Sequence, residues 1–225
     1  MSARSPHVVT GALLVGAALI ANTAFVLLGS AFEYPDVLQQ PGEQVLLRFH
    51  ADAPLIGGLF ALLAAGAALL APIALRLARL GGPRRLALGV AVTGVAAAAV
   101  QVVGLLRWPL LVPSLAGRVA DHAGTAEAVE RFATLNTVLG QVIGETLGYL
   151  LTAAWTVLAV LLLRRGGLVG RASGALALVA VPLILAGLLV PLGVPGAGQA
   201  NFAGYVLWSL WLISLGVTLL RARDL

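Results

Sequence analysis

The sequence predicts an all-α integral membrane protein of six transmembrane helices, with both termini cytoplasmic, two long structured outer loops and a long, protruding fourth helix. Three observations support this. Of the 225 residues, 60% are hydrophobic and 10% charged, with a mean hydropathy of +1.01. Apolar runs of about 20 residues, enough helix to cross a hydrocarbon core about 30 Å thick, recur six times. The arginines stand between those runs and not inside them.

Taken in order, the first run covers about 8–30. It follows Arg4 and passes straight through Asn22 and Phe25 with no small-residue cleavage site, so it reads as a retained span and not a secretory leader. A connector over 31–53, rich in proline, acids and amides, is polar enough to fold over the surface, and Pro41 is placed to begin a short helix. The second span, 54–75, ends at Arg76 and Arg79. A tight turn at Gly81, Gly82 and Pro83 leads into the third, 86–106, whose one strongly polar group is Gln101. The second long connector, 107–131, contains an amphipathic piece. The fourth helix follows at 132–163, the fifth at 172–194 with Pro182 as a kink, and the sixth at 202–220. All six belong to a single membrane domain spanning 1–225.

Ten of the fourteen arginines fall at the N-terminus, the second and fourth turns and the C-terminus. Seven of the nine acids fall in the two long connectors. Positive residues remain on the cytoplasmic side, which orients the chain with both ends in the cytoplasm. Reporter fusions after Arg79 and Arg165 are therefore expected to read as cytoplasmic, and fusions near Gln40, Gly124 and Gly196 as external. An external signal at Arg165 would reverse the orientation.

The net charge of +5 does not point to nucleic acid, because the basic residues form short topogenic clusters and no recognition motif accompanies them. There is no cysteine, so disulfide and thiolate chemistry are excluded. No phosphate loop, nucleophile elbow or H-E-x-x-H zinc motif occurs. Cofactors are left open, and enzymatic activity is not the favoured reading.

The fourth helix holds the one acid inside an apolar run, Glu145. About 30 Å of helix measured back from Arg164 and Arg165 reaches Glu145, which puts it near the outer mouth. At 100° per residue, Thr134, Thr137, Gln141, Glu145, Gly148, Thr152 and Thr156 form one polar stripe, with Gly140, Gly144 and Gly148 beside it as a close-packing groove or a homo-oligomer seam. A carboxylate at membrane depth costs about 2.5–3.5 kcal/mol even on lenient scales, so Glu145 is a functional candidate. Asn22, Gln101, Asn136, Gln141 and Asn201 fall at similar outer depth, and His50 stands at the outer start of the second span. These residues suggest an outward-facing pocket that binds or transports a small cationic or amphiphilic ligand, or a proton. Two alternatives stand beside this. One is an intramembrane enzyme using Glu145 and His50, with His50, Asp52 and His122 as weak metal candidates. The other is a structural or accessory subunit in which Glu145 pins helices together.

The stretch from Phe132 to Thr156 reads F-x-x-L-N-x-x-L-G-x-x-x-G-E-x-L-G-Y-L-L-x-x-x-W-T. With Tyr34-Pro35 in the first connector and the six-span plan, it resembles the bacterial membrane family catalogued as domain of unknown function 4386. The resemblance implies the six-span fold and singles out Asn136, Gly140, Gly144, Glu145, Gly148, Tyr149 and Trp155. It implies no activity.

Overall fold

The computed structural model describes residues 6–221. Six helices in it are long and apolar enough to cross a membrane: His7–Phe32, Ala53–Ala78, Arg84–Ala120, Thr125–Arg165, Arg171–Leu192 and Ala197–Arg221. Arg4, Arg223 and Asp224, used above for orientation, lie outside the described residues.

The first span is α1 (Pro6–Phe32). The first connector then makes one 3-10 turn over Asp36–Gln39 and forms α2 (Gly42–Ala51), with Pro41 as its N-cap. The second span breaks into α3 (Ala53–Ala68) and α4 (Leu70–Ala78). Pro72 explains the break, since it cannot donate to the carbonyl four residues earlier and its ring crowds that carbonyl. Gly81 and Gly82, with φ of 106° and 120°, take backbone conformations closed to other residues and reverse the chain.

The second connector differs most from expectation. Hydropathy ends the third span at Leu106 because Arg107 is charged, yet α5 (Arg84–Leu110) runs on through Arg107 and Trp108 and buries both. After Leu111 the chain forms α6 (Val112–Ala120). His122 ends α6 in the left-handed region at φ 55°, with Ala123 N–H donating to Arg118 C=O and His122 N–H to Val119 C=O, a Schellman cap. Next comes α7 (Thr125–Leu135), which continues without a break into a π-helical segment, Asn136–Leu147, and then α8 (Gly148–Arg165). So 107–131 is a helical hairpin and not a loop. The last two spans are α9 (Arg171–Leu185), tightening to a 3-10 stretch Ala186–Leu192, and α10 (Ala197–Arg221).

The spans form a closed ring in chain order. α1 packs on α3, α3 and α4 on α5, α5 on the π segment and α8, α8 on α9, α9 on α10, and α10 back on α1. Side chains fill the middle in two apolar layers. One is built around Trp155 and Trp211 with Leu14, Ile73 and Val160. The other, roofed by the two connectors, gathers Phe32, Phe49, Phe60, Trp108 and Phe132. In the second layer Trp108 is the hub: Phe60 stacks on it at 4.7 Å and Phe32 meets it edge-on at 5.2 Å. Ion pairs at 2.6 Å tie the connectors down, Arg48 to Glu33 and Glu127 to both Arg118 and Arg131. The Arg48 guanidinium holds the Glu33 carboxyl below the usual carboxylate value through their hydrogen bond.

Candidate functional site

Polar side chains collect where the two apolar layers meet. On α5, Gln101 and Arg107 lie between Ala98 of one layer and Trp108 of the other. On the fourth span Asn136 and Glu145 lie between Phe132 and Trp155.

Arg107 is 4% exposed. Its Nη1 donates to Gly104 C=O at 2.5 Å and its Nη2 to Asn136 Oδ1 at 2.9 Å. The guanidinium carbon stands 5.2 Å from the Trp108 ring centroid, a cation–π arrangement, and Nε finds no acceptor among the described residues. Both Nη groups meet neutral oxygens, so the charge is solvated by the fold but not neutralised by a direct ion pair.

Glu145 provides the opposing charge without bonding to Arg107. It is half-buried, its carboxylate makes no hydrogen bond or ion pair with the described residues, and it interacts electrostatically with Arg107, Tyr34, Tyr149 and Tyr205. Tyr34 arrives from the first connector, its ring edge-on to Phe60 at 5.1 Å and to Phe25 at 5.9 Å. Burial pushes the Tyr34 hydroxyl up to about 12, with Glu145 acting in the same direction and Arg107 against it, so it is a neutral hydrogen-bonding group. Tyr149 and Tyr205 face each other at 6.0 Å. Below them Gln101 Nε2 donates to Thr152 Oγ1 at 3.2 Å, Thr156 Oγ1 to Thr152 C=O at 2.7 Å and Trp208 Nε1 to Thr156 Oγ1 at 2.8 Å.

The glycines decide how close this site sits to α5. Gly104 and Gly144 meet backbone to backbone: a Cβ on Gly144 would stand 3.1 Å from Gly104 Cα and 3.1 Å from Leu139 O. A Cβ on Gly140 would meet the Arg107 guanidinium at 2.8 Å, and one on Gly148 would meet Gln101 at 3.2 Å. All three glycines of the fourth span therefore face α5 inside one chain.

The polar stripe drawn at 100° per residue runs through a π-helical segment, Asn136–Leu147. In a π-helix each hydrogen bond reaches one residue further than in an α-helix, so the winding is wider and a projection made for α drifts. The stripe grades from exposed Thr134 and Thr137, through half-buried Gln141 and Glu145, to buried Thr152 and Thr156. The Gln141 side chain makes no hydrogen bond with the described residues.

Asn22, Trp155 and the connector residues stand apart from the cluster, whereas Asn201 lies beside Tyr149, both reaching the spot that a Cβ on Gly187 would occupy. Asn22 ties span one to span six, donating to Ala18 C=O at 2.7 Å and Ser209 Oγ at 2.9 Å. Asn201 donates to Ile184 C=O at 2.6 Å, near the point where the fifth span tightens. Trp155 is fully buried in the tryptophan layer, 6.0 Å from both Trp208 and Trp211. His50, Asp52 and His122 are exposed in the connectors, and the described residues contain no group of three or more metal-ligating side chains. Conversely, Tyr34 and Tyr205 are no site candidates from the sequence, where Arg107 figures only as an arginine able to reach Glu145 from another element. The sequence signal for Arg107 was a lone arginine beside a tryptophan at a span end. Tyr34 carried only its place next to Pro35.

The family profile described as domain of unknown function (DUF4386) matches residues 9–216. The chain belongs to the DUF4386 family. The match takes in all six spans of this DUF4386 protein and both connectors, and with them every member of the Tyr34, Arg107 and Glu145 cluster. No curated protein and no solved structure matches the chain.

Proposed function

We propose that this DUF4386 protein is a binding or transport protein of the bacterial inner membrane, with both termini cytoplasmic, in which Glu145 receives the polar head of a small amphiphilic molecule, or a proton, from the outer side. One observation carries the reading. Glu145 is a half-buried carboxylate with no direct partner among the described residues, held within electrostatic range of a buried arginine and three tyrosines. Charge at membrane depth is costly and is kept where it serves binding or proton uptake. Arg107 narrows the ligand chemistry. A purely cationic head would be repelled by the guanidinium, whereas a head with both donors and acceptors is complementary to carboxylate, guanidinium and phenol together. The tyrosine rings give such a molecule apolar walls. Two surface grooves, one along Gly57 and Pro109 and one along Leu115 and Thr134, lie away from Glu145 and play no part in this reading.

The test combines native mass spectrometry of the purified protein with thermal unfolding from about pH 5 to about pH 9. Wild type is expected to carry a small-molecule adduct or to show a pH-dependent midpoint, and Glu145→Gln to lose whichever is present. A Glu145→Gln protein that matches wild type in adducts and in midpoint at every pH would refute the reading.

A further inference from the structure

On the face of the α6–α7 hairpin lies a groove of about 570 Å³, well away from Glu145. Leu111, Leu115 and Leu135 line it together with Glu127, Glu130 and Arg131. Its depth follows from the helix that carries it. Thr134, also at the groove, stands thirty residues before Arg164. That is about 45 Å of helix, the thickness of a bilayer with its headgroup layers at about 40–45 Å. With Arg164 in one headgroup layer, the groove opens at the level of the other.

The charges on its rim are not equivalent. Glu127 is already engaged by Arg118 and Arg131, each at 2.6 Å. The hydroxyls of Ser114 and Thr134 donate to carbonyls of their own helices, at Leu111 and Glu130. Glu130 is exposed and its carboxylate has no ion-pair partner among the described residues, while Arg131 next to it offers the remaining donors of its guanidinium. A free anion, a cation one residue away and an apolar floor at headgroup depth match a molecule with an ammonium, a phosphate and an acyl chain in that order. We propose that this groove seats an aminophospholipid of the phosphatidylethanolamine class, its ammonium on Glu130, its phosphate on Arg131 and one acyl chain along Leu111 and Leu135. This is a site separate from Glu145.

The full chain, reconstituted in nanodiscs of equal phosphatidylethanolamine and phosphatidylglycerol and released for native mass spectrometry, tests the proposal. Wild type is expected to retain phosphatidylethanolamine over phosphatidylglycerol by about two- to fivefold, the discrimination that one exposed ion pair supplies. Glu130→Gln should bring the two lipids to parity with an unchanged melting temperature, since Glu130 is exposed and unpaired. Glu145→Gln should leave the lipid preference as in wild type, which separates failure at this groove from failure at the central site. Equal retention of both lipids by wild type, or a preference that survives Glu130→Gln, overturns the proposal.

Discussion

Arg107→Ala is expected to cost about 2–4 kcal/mol of stability, through its lost hydrogen bonds and the cavity it leaves. The guanidinium is 4% exposed and links three elements: Gly104 C=O of its own helix, Asn136 at the head of the π segment and the Trp108 ring. Its removal leaves Asn136 Oδ1 without its donor and opens a hole under the aromatic hub. It also leaves Glu145 as an uncompensated carboxylate at membrane depth. Arg107→Lys keeps the charge but not the planar fork or the ring contact, and should recover about half of the loss. Chemical or thermal unfolding in a mild detergent measures both. An Arg107→Ala protein within about 0.5 kcal/mol of wild type would mean that the residue is a bystander at the span boundary.

Gly144→Leu should be as damaging, at about 2–4 kcal/mol, because the space it needs is occupied by backbone. Its Cβ alone would meet Gly104 Cα and Leu139 O at 3.1 Å, and neither can rotate away as a side chain would. Gly104→Leu is the mirror experiment from α5, with a Cβ 2.7 Å from Gly144 Cα. Gly16→Leu is the control: it lies in an equally apolar helix where a Cβ meets nothing within 4 Å, and its melting temperature should stay close to wild type. If Gly144→Leu and Gly16→Leu melted together, the contact between α5 and the π segment would not be a close one.

The membrane architecture was legible because hydrophobic length is a local property, readable one run at a time. Arg107 was not, for a reason that is instructive. A charge at the end of an apolar run signals the membrane boundary, and only the partners brought by the fourth span and the connectors make this one an interior group. Gly140, Gly144 and Gly148 announced a close approach by their spacing. What they approach, Arg107, Gly104 and Gln101, follows a matching spacing of three on α5 that has no meaning until the two helices are laid together. Tyr34 and Tyr205 join Glu145 only through ring closure, which no window along the chain contains. The π winding between Asn136 and Leu147 leaves no mark on hydropathy, since it changes hydrogen-bond partners and not residue types.

The order of the ring bears on how the chain is made. Each span leaving the ribosome meets as its packing partner the one synthesised just before it, so five of the six contacts are between consecutive segments and form without a search. Only the contact between α1 and α10 must wait for the whole chain. That last seam is built from Gly11 and Gly216, whose backbones lie so near that a Cβ on either would stand within 2.8 Å of the other's carbonyl oxygen. The bundle thus closes at a seam where two backbones nearly touch, flanked by Val15 and Leu220 and fastened further along by the Asn22–Ser209 hydrogen bond.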